Sequence, residues 1–269
     1  MTLGISIDLS DRTALVTGAA GGLGRAISLG LAAAGADVVL ADIRTGAPLS
    51  GLRDEIAAMG RTARVADCDI SDSGEVRGMF ESLRADADRP PSILVNNAGY
   101  YRDYAPIHSV DDAMIDRTVD INLKGLLYMS REFSSWMRDI DGTGTIINIS
   151  SGAAHGGRAG HAHYSASKAG VLAATRAMAI DLSPAITVNS ISVGFVDVGM
   201  FDDESLIAVK RDILPRIPLG AGRPEDISML VCYLASPFAR WMTATDIRVD
   251  GGESAGRIPF LRDNEELEP

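Results

Sequence analysis

The run Thr13-Ala14-Leu15-Val16-Thr17-Gly18-Ala19-Ala20-Gly21-Gly22-Leu23-Gly24-Arg25-Ala26-Ile27-Ser28-Leu29-Gly30-Leu31 decides the fold. Its first five residues are β-branched or apolar and end at a glycine, the pattern of a buried strand. From Gly22 the periodicity changes. Leu23, Ile27, Leu31 and the small Ala34 return at helical spacing, and Gly35 stands where a left-handed residue ends a helix. The turn between strand and helix is almost wholly glycine and alanine. Small residues there let backbone N–H groups approach a pyrophosphate at the positive end of the helix, so glycine serves close approach and not charge. A second strand at residues 37–41 completes a strand, helix, strand unit.

Further strand-like runs lie at residues 61–66, 92–95, 145–149, 187–191 and 246–249, separated by helix-like segments. They are mostly apolar throughout and do not alternate, as expected where helices cover both faces. The pattern predicts an α/β, Rossmann-type three-layer sandwich around a parallel sheet of about seven strands. Ligands of such sheets bind at the carboxyl ends of the strands. Each motif below falls at such an end or on the helix that follows one.

The 269 residues are 46% hydrophobic and 23% charged, which is enough apolar material for a packed core and shows no sign of disorder. No linker, low-complexity run or repeat divides the chain, so a single domain over residues 1–269 is expected. A net charge of −11 leaves no basic patch to neutralise phosphates, so neither nucleic acid nor an anionic membrane is an expected partner. No stretch approaches the roughly 18 consecutive apolar residues of a membrane span. The first twelve residues lack a basic region followed by a hydrophobic run, and the cytoplasm is the expected compartment. Cys68 and Cys232 form no CxxC pair and fit as small buried hydrophobes.

Asp42 closes the second strand about 20 residues past the turn, where a carboxylate accepts hydrogen bonds from adenosine ribose hydroxyls and repels a 2′-phosphate. NAD is therefore expected over NADP, although Arg44 could turn toward a phosphate, and Asp42 could simply cap a loop. Tyr164 and Lys168 stand four residues apart, on one face of a helix. A phenol of pKa near 10 is a poor base at neutral pH, and an adjacent ammonium favours its phenolate. Such a pair alone is usually an exposed helix pair. Ser151, thirteen positions before Tyr164 and just past the fifth strand, adds a hydroxyl able to donate to a substrate oxygen as negative charge builds.

The spacing of Thr17, Gly18, Gly22 and Gly24 differs from the ordinary GxGxxG fingerprint and resembles that of the short-chain dehydrogenase/reductase family. Asn96-Asn97-Ala98-Gly99, the Ser151, Tyr164 and Lys168 set, Gly222-Arg223-Pro224-Glu225-Asp226-Ile227 and Asp246-Ile247-Arg248-Val249-Asp250-Gly251-Gly252 also resemble family segments, so the likeness runs from about Leu9 to Gly252. The resemblance implies a cofactor held by Thr17, Gly18, Gly22, Leu23, Gly24, Asp42, Asp69, Ile70, Asn97, Ala98, Gly99, Tyr164, Lys168, Gly194 and Val196, with Asp67 a competitor of Asp69. It implies a catalytic set of Asn122, Ser151, Tyr164 and Lys168, with Ser150 as the fallback for Ser151. In this set the backbone carbonyl of Asn122 holds a water that links Lys168 to solvent, and Lys168 holds both the ribose and the charge state of Tyr164. Family members are usually tetrameric, so a homo-oligomer is expected.

Two departures stand out. Val193 and Val198 occupy the positions of the family's proline and threonine in Pro-Gly-x-Val-x-Thr, so altered cofactor orientation is expected, with the backbone of Val196 still able to bond the carboxamide. A substrate lid is expected at residues 195–216, including Met200, Phe201, Asp202, Asp203 and Glu204, and a solvated tail at 253–269. Arg158, His155, His161 and His163 lie between Ser151 and Tyr164; a hydride mechanism needs no metal, and none is expected. Tyr100, Tyr101 and Tyr104 fit either pocket lining or an ordinary loop with packed aromatics. The function implied is NAD-dependent interconversion of a small-molecule secondary alcohol and a ketone. An NADPH-dependent 3-oxoacyl thioester reductase and a cofactor-sensing protein without turnover are the alternatives.

Overall fold

The computed structural model describes residues 6–86, 89–101, 105–199 and 214–255. Seven parallel strands form one sheet in the order β3-β2-β1-β4-β5-β6-β7. They are β1 (Thr13–Thr17), β2 (Asp37–Asp42), β3 (Ala63–Asp67), β4 (Ile93–Asn96), β5 (Gly144–Ser151), β6 (Ile186–Val193) and β7 (Asp246–Val249). Every expected strand is present. β5 and β6 each reach two residues further at their carboxyl ends than the apolar runs suggested, because Ser150 and Ser151 pair in register with Ser192 and Val193.

Strand side chains leave on both faces, and both faces are covered. Ala14 and Val16 enter one core with Ile27 and Leu31 of α1 (Gly22–Ala33), Leu49, Leu52 and Ile56 of α2 (Ala47–Ala58), and Ile227 and Val231 of the last helix. Leu15 points the other way. It packs with Phe80 of α3 (Ser73–Asp86) and with Phe133 and Trp136 of α5 (Leu126–Asp139). Burial on both faces is why these strands are apolar throughout.

α1 ends where expected, with Gly35 in the left-handed region at φ +101°. Helix α4 (Asp112–Val119) starts on Asp111, whose carboxylate accepts from the Met114 N–H. It runs through a π-helical segment, Asp120–Gly125, into α5, and that segment carries Asn122. Helix α6 (Ala162–Asp181) carries Tyr164 and Lys168, and α7 (Pro224–Ala235) returns to the face of α1. No helix among the described residues is long and apolar enough to cross a membrane.

The chain order reverses between β1 and β4, which makes the carboxyl ends of those two strands the switch point where an open α/β sheet forms its crevice. Of the expected lid, residues 195–199 and a short turn at Leu214–Arg216 are described. Met200, Phe201, Asp202, Asp203, Glu204, Tyr104 and residues 256–269 lie outside the described residues.

Candidate active site

The floor of the crevice is built from the carboxyl ends of β1 and β4. Thr17 Oγ1 donates to Val95 O at 3.3 Å and accepts from the N–H groups of Asn97 and Ala98, both at 3.0 Å. Asn97 Nδ2 returns to Thr17 O at 2.9 Å. Thr17, Asn97 and Ala98 therefore act first on each other, locking the turn after β1 to the turn after β4. The lock requires glycine at position 18, which has φ +66° and where a Cβ would lie 2.8 Å from Ala98 Cα. A Cβ at Gly24 would collide with the Gly18 carbonyl oxygen.

α1 begins at Gly22 with no side-chain cap and no acidic residue in its first turn, so its opening N–H groups and positive end face the crevice. This cradle of glycine backbone fits a dinucleotide's phosphates. Asp42 lies beside it, 6% exposed, with Oδ2 accepting from Ala20 N–H at 3.0 Å and Oδ1 from Arg44 N–H at 2.9 Å. The Arg44 side chain donates to the same Oδ1 at 3.3 Å. Asp42 thus braces the glycine-rich turn and draws the arginine to itself.

At the end of β3, Asp69 accepts from the N–H and hydroxyl of Ser71 at 2.9 and 2.6 Å, so its carboxylate shapes its own turn. Ile70 packs closely on Gly125, where a Cβ would lie 2.7 Å from Ile70 Cδ1. Asp67 pairs in register with Asp42 on the neighbouring strand.

The second half of the crevice lies over β5 and α6. Ser150 and Ser151 part ways: Ser150 is buried and donates to Lys168 O at 3.1 Å, whereas Ser151 hydrogen-bonds the Tyr164 phenol and accepts from Ala153 N–H at 3.2 Å. The serine that faces the phenol is Ser151. Lys168 Nζ is buried, donates to Ile149 O at 2.9 Å, and lies 5.9 Å from the centre of the Tyr164 ring. Gly99 leaves the space between: a Cβ there would stand 3.5 Å from Lys168 Nζ and 3.4 Å from Asn122 Oδ1.

Asn122 Oδ1 accepts from Tyr100 N–H at 2.6 Å, and its Nδ2 donates to Tyr100 O at 3.0 Å and to Ser167 Oγ at 3.1 Å. Ser167 in turn donates to Tyr164 O at 2.7 Å. One chain of bonds therefore runs from the π-helical segment to the backbone of Tyr164. A π turn shifts the hydrogen-bond ladder by one residue and is frequent at functional sites.

Charge departs from expectation at Tyr164. Burial is the largest influence and pushes the phenol above its ordinary value; the Ser151 hydrogen bond lowers it, the Tyr101 charge raises it, and the Arg158 charge lowers it. Burial pulls the Lys168 ammonium itself down to about 8, and the guanidinium of Arg158 is a second cation whose charge lowers the phenol.

A wall that spacing alone did not rank stands beside Tyr164. The Tyr101 ring meets the Tyr164 ring edge-on at 4.8 Å between centres and stacks on His161 at 5.1 Å. Arg158 donates to Tyr101 Oη at 3.3 Å and to Glu253 Oε1 at 3.2 Å. Tyr101 therefore lines the crevice. His155 is placed elsewhere, with Nε2 2.8 Å from Asp246 Oδ2 and 3.1 Å from Ser192 Oγ, and His163 is buried in α6. Tyr100 lies under the exposed Arg117, 4.5 Å from its guanidinium to the ring centre.

After β6, Gly194 is forced by the backbone of Asp250, which a Cβ would approach to 2.6 Å. Phe195 and Asp197 pair with Gly222 through Phe195 O and Asp197 N–H, a bridge that does not use the N–H of Val196. Val198 reaches back over the start of α1: a Cβ at Gly22 would lie 2.8 Å from Val198 Cβ. An apolar side chain thus sits where the resemblance led one to expect a hydroxyl.

A family model described as "Enoyl-(Acyl carrier protein) reductase" matches residues 18–254. The (3R)-3-hydroxyacyl-CoA dehydrogenase of Canis lupus familiaris is 34% identical over 252 residues, covering 91% of this chain and 96% of that one. A short-chain type dehydrogenase/reductase from Mycobacterium marinum superposes with a TM-score of 0.87 at 35% identity, covering 93% and 98% of the two chains. A blue fluorescent protein from a metagenomic library, solved in complex with NADPH, superposes with a TM-score of 0.82 at 33% identity, covering 92% and 99%. With the sheet order, the glycine-rich turn and the paired Tyr164 and Lys168 in agreement, this chain belongs to the short-chain dehydrogenase/reductase family of oxidoreductases.

Proposed function

We propose that the protein is an NAD-dependent oxidoreductase that interconverts a secondary alcohol and a ketone, with Tyr164 as acid/base. The observation that carries this is the convergence of Ser151, Tyr164, Lys168 and Asn122 at the carboxyl ends of β4 and β5, beside the uncapped start of α1. When bound, the nicotinamide ring accepts or returns the hydride. The chain's residues do the rest. The turn Thr17 to Gly24, with Leu23 at its helical end, receives the phosphates. Asp42 receives the adenosine ribose, Asp69 and Ile70 border the adenine, and Asn97, Ala98 and Gly99 form the floor. Gly194 and the N–H of Val196 orient the nicotinamide end.

In the oxidative direction Tyr164 takes the hydroxyl proton, Ser151 holds the substrate oxygen, and Lys168 steadies the ribose. The π-helical turn at Asn122 frees backbone for a proton path from Lys168 to solvent. In reduction Tyr164 gives the proton back. Tyr164→Phe is expected to lower kcat by at least about 100-fold, the ordinary worth of an acid/base group, with cofactor affinity within a few-fold of the parent. Near-parental turnover would exclude Tyr164 as the acid/base.

Asp42 supports NAD, because its buried carboxylate stands where a 2′-phosphate would have to sit. A second reading, NADPH-dependent reduction of a 3-oxoacyl thioester, is favoured for its cofactor by Arg44 beside Asp42 and for its thioester by the likeness to a hydroxyacyl-CoA dehydrogenase. Initial rates with NADH and NADPH on a short 3-oxoacyl thioester separate the two. NADH is expected to be the faster reductant by about tenfold or more, as for one unpaired charge at a phosphate site; the reverse order favours the second reading.

A further inference from the structure

Arg158 lies in the turn between β5 and α6, six residues before Tyr164, and Glu253 follows β7, 95 residues along the chain from its partner. The fold brings them within 3.2 Å. Two of the five guanidinium N–H donors are spent on Glu253 Oε1 and Tyr101 Oη. Tyr101 passes the constraint on, because its ring edge abuts the Tyr164 ring at 4.8 Å and its face is held by His161. Three segments distant in sequence thus converge on the face of one phenol.

Resting on the assignment of Tyr164 as the acid/base, we propose that Arg158, braced by Glu253 and bonded to Tyr101, is a positioning residue that tunes proton release from Tyr164. Five other groups bear on the same phenol: the Ser151 hydroxyl from β5, Tyr101 after β4, His161 at the start of α6, Lys168 one turn along α6, and Glu253 behind Arg158. Lys168 is engaged with Ile149 O from deep in the helix. Arg158 reaches the phenol's neighbour Tyr101, and its charge pulls the phenol down against the larger upward push of burial. Burial also works against the guanidinium, but the Tyr101 hydrogen bond and the charges of Tyr101, Glu253 and Tyr164 outweigh it and hold Arg158 above its ordinary value. Glu253 has the opposite duty: it offsets part of the positive charge and fixes where the guanidinium stands.

The two partners should therefore move the phenol in opposite senses. Removing the cation leaves Tyr164 harder to deprotonate, and removing the anion leaves Arg158 less neutralised and Tyr164 easier to deprotonate. A merely structural ion pair would show the same sense for both. The Tyr164 phenolate is read from the ultraviolet absorbance of the whole protein minus that of a matched Tyr164→Phe chain, so the titration needs neither substrate nor cofactor. Arg158→Gln is expected to raise the midpoint by roughly 0.5 unit or more and Glu253→Gln to lower it, with Arg158→Lys near the parent. The pH at which kcat for oxidation of a 3-hydroxybutyryl thioester with NAD reaches half its maximum should move in the same senses; it is the deciding readout if the phenol does not titrate before the fold is lost. Shifts of one sign for both variants, or none, overturn the role of Arg158 while leaving the acid/base assignment standing. Full turnover by Tyr164→Phe removes the assignment itself, whatever the midpoints do.

Discussion

At Lys168 the physics of burial and the chemistry of the site pull in opposite directions. An ammonium wants water, yet this one is 5% exposed and makes its described hydrogen bond to a strand carbonyl, and burial pulls its pKa from 10.5 to about 8. The unfolded chain therefore holds more protons than the folded one between those values, and stability rises with pH across that window. Below about pH 8 the cost of burying the charge is fully present, at most about 3 kcal/mol. Lys168→Met removes this slope. Denaturant unfolding at about pH 7.5 and about pH 10 should show the parent gaining more stability than the variant between the two; equal gains would mean the lysine is better solvated than its position suggests. Tyr164 is the counterpart, a phenol that burial pushes up and that depends on its neighbours to come down. Helical spacing sets which side chains share a face, and burial decides how readily each of them carries a charge.

Among the elements, the glycine-rich turn is tightly constrained. Gly18 needs a left-handed φ, and Gly24 has no room for a Cβ between the Gly18 carbonyl and Asn97 Nδ2, the latter at 2.7 Å. Gly24→Ala must push apart the two turns that Thr17 and Asn97 tie together. A misfit of this kind costs about 1–3 kcal/mol, or a fall in Tm of several degrees for a domain of this size. Calorimetry should show that fall, and dinucleotide titration should show affinity weakened by at least about tenfold; an unchanged Tm would mean the turn yields where it looks rigid. The π-helical segment belongs to the same scale. Asn122 spends its side chain on Tyr100 and Ser167, and the widened turn, not the amide, is what loosens the backbone ladder there. No composition signal marks such a turn, since Asp120-Ile121-Asn122-Leu123-Lys124-Gly125 is compatible with an ordinary helix.

For the whole molecule, the sheet divides the apolar residues into two cores, and each cysteine sits in a different one. Cys232 lies with α1 and α7, Cys68 with α3 and α5. Burial pushes their thiols up to about 11 and about 12. Thiolate is the reactive form, so both are expected to be inert to a thiol reagent near neutral pH in the native protein and to react together once denaturant opens the sheet. Rapid labelling of either in the native state would show that one face opens by itself. Polar order also runs at this scale. Asn96 Nδ2 donates to Ser130 Oγ and Asn148 Oδ1, and Asn148 Nδ2 to Thr175 Oγ1, so β4 and β5 are cross-bonded to α5 and α6 beneath the crevice. The Asn-Asn pair was visible in the sequence; its partners, far along the chain, were not.

The strands, the helix after the first of them, the glycine turn and the Tyr164 and Lys168 pair were determined by sequence alone, because each depends on residues close together in the chain. A period of apolar residues, a missing Cβ or a four-residue spacing has the same meaning wherever the segment ends up. The bond of Ser150 to the Lys168 carbonyl, the π turn under Asn122, the drawing of Arg44 onto Asp42, and the meeting of Arg158 with Glu253 were decided only by the tertiary structure. Hydrogen bonds and charges act over a few ångströms and are governed by burial, and both of these depend on which distant segments the sheet brings side by side.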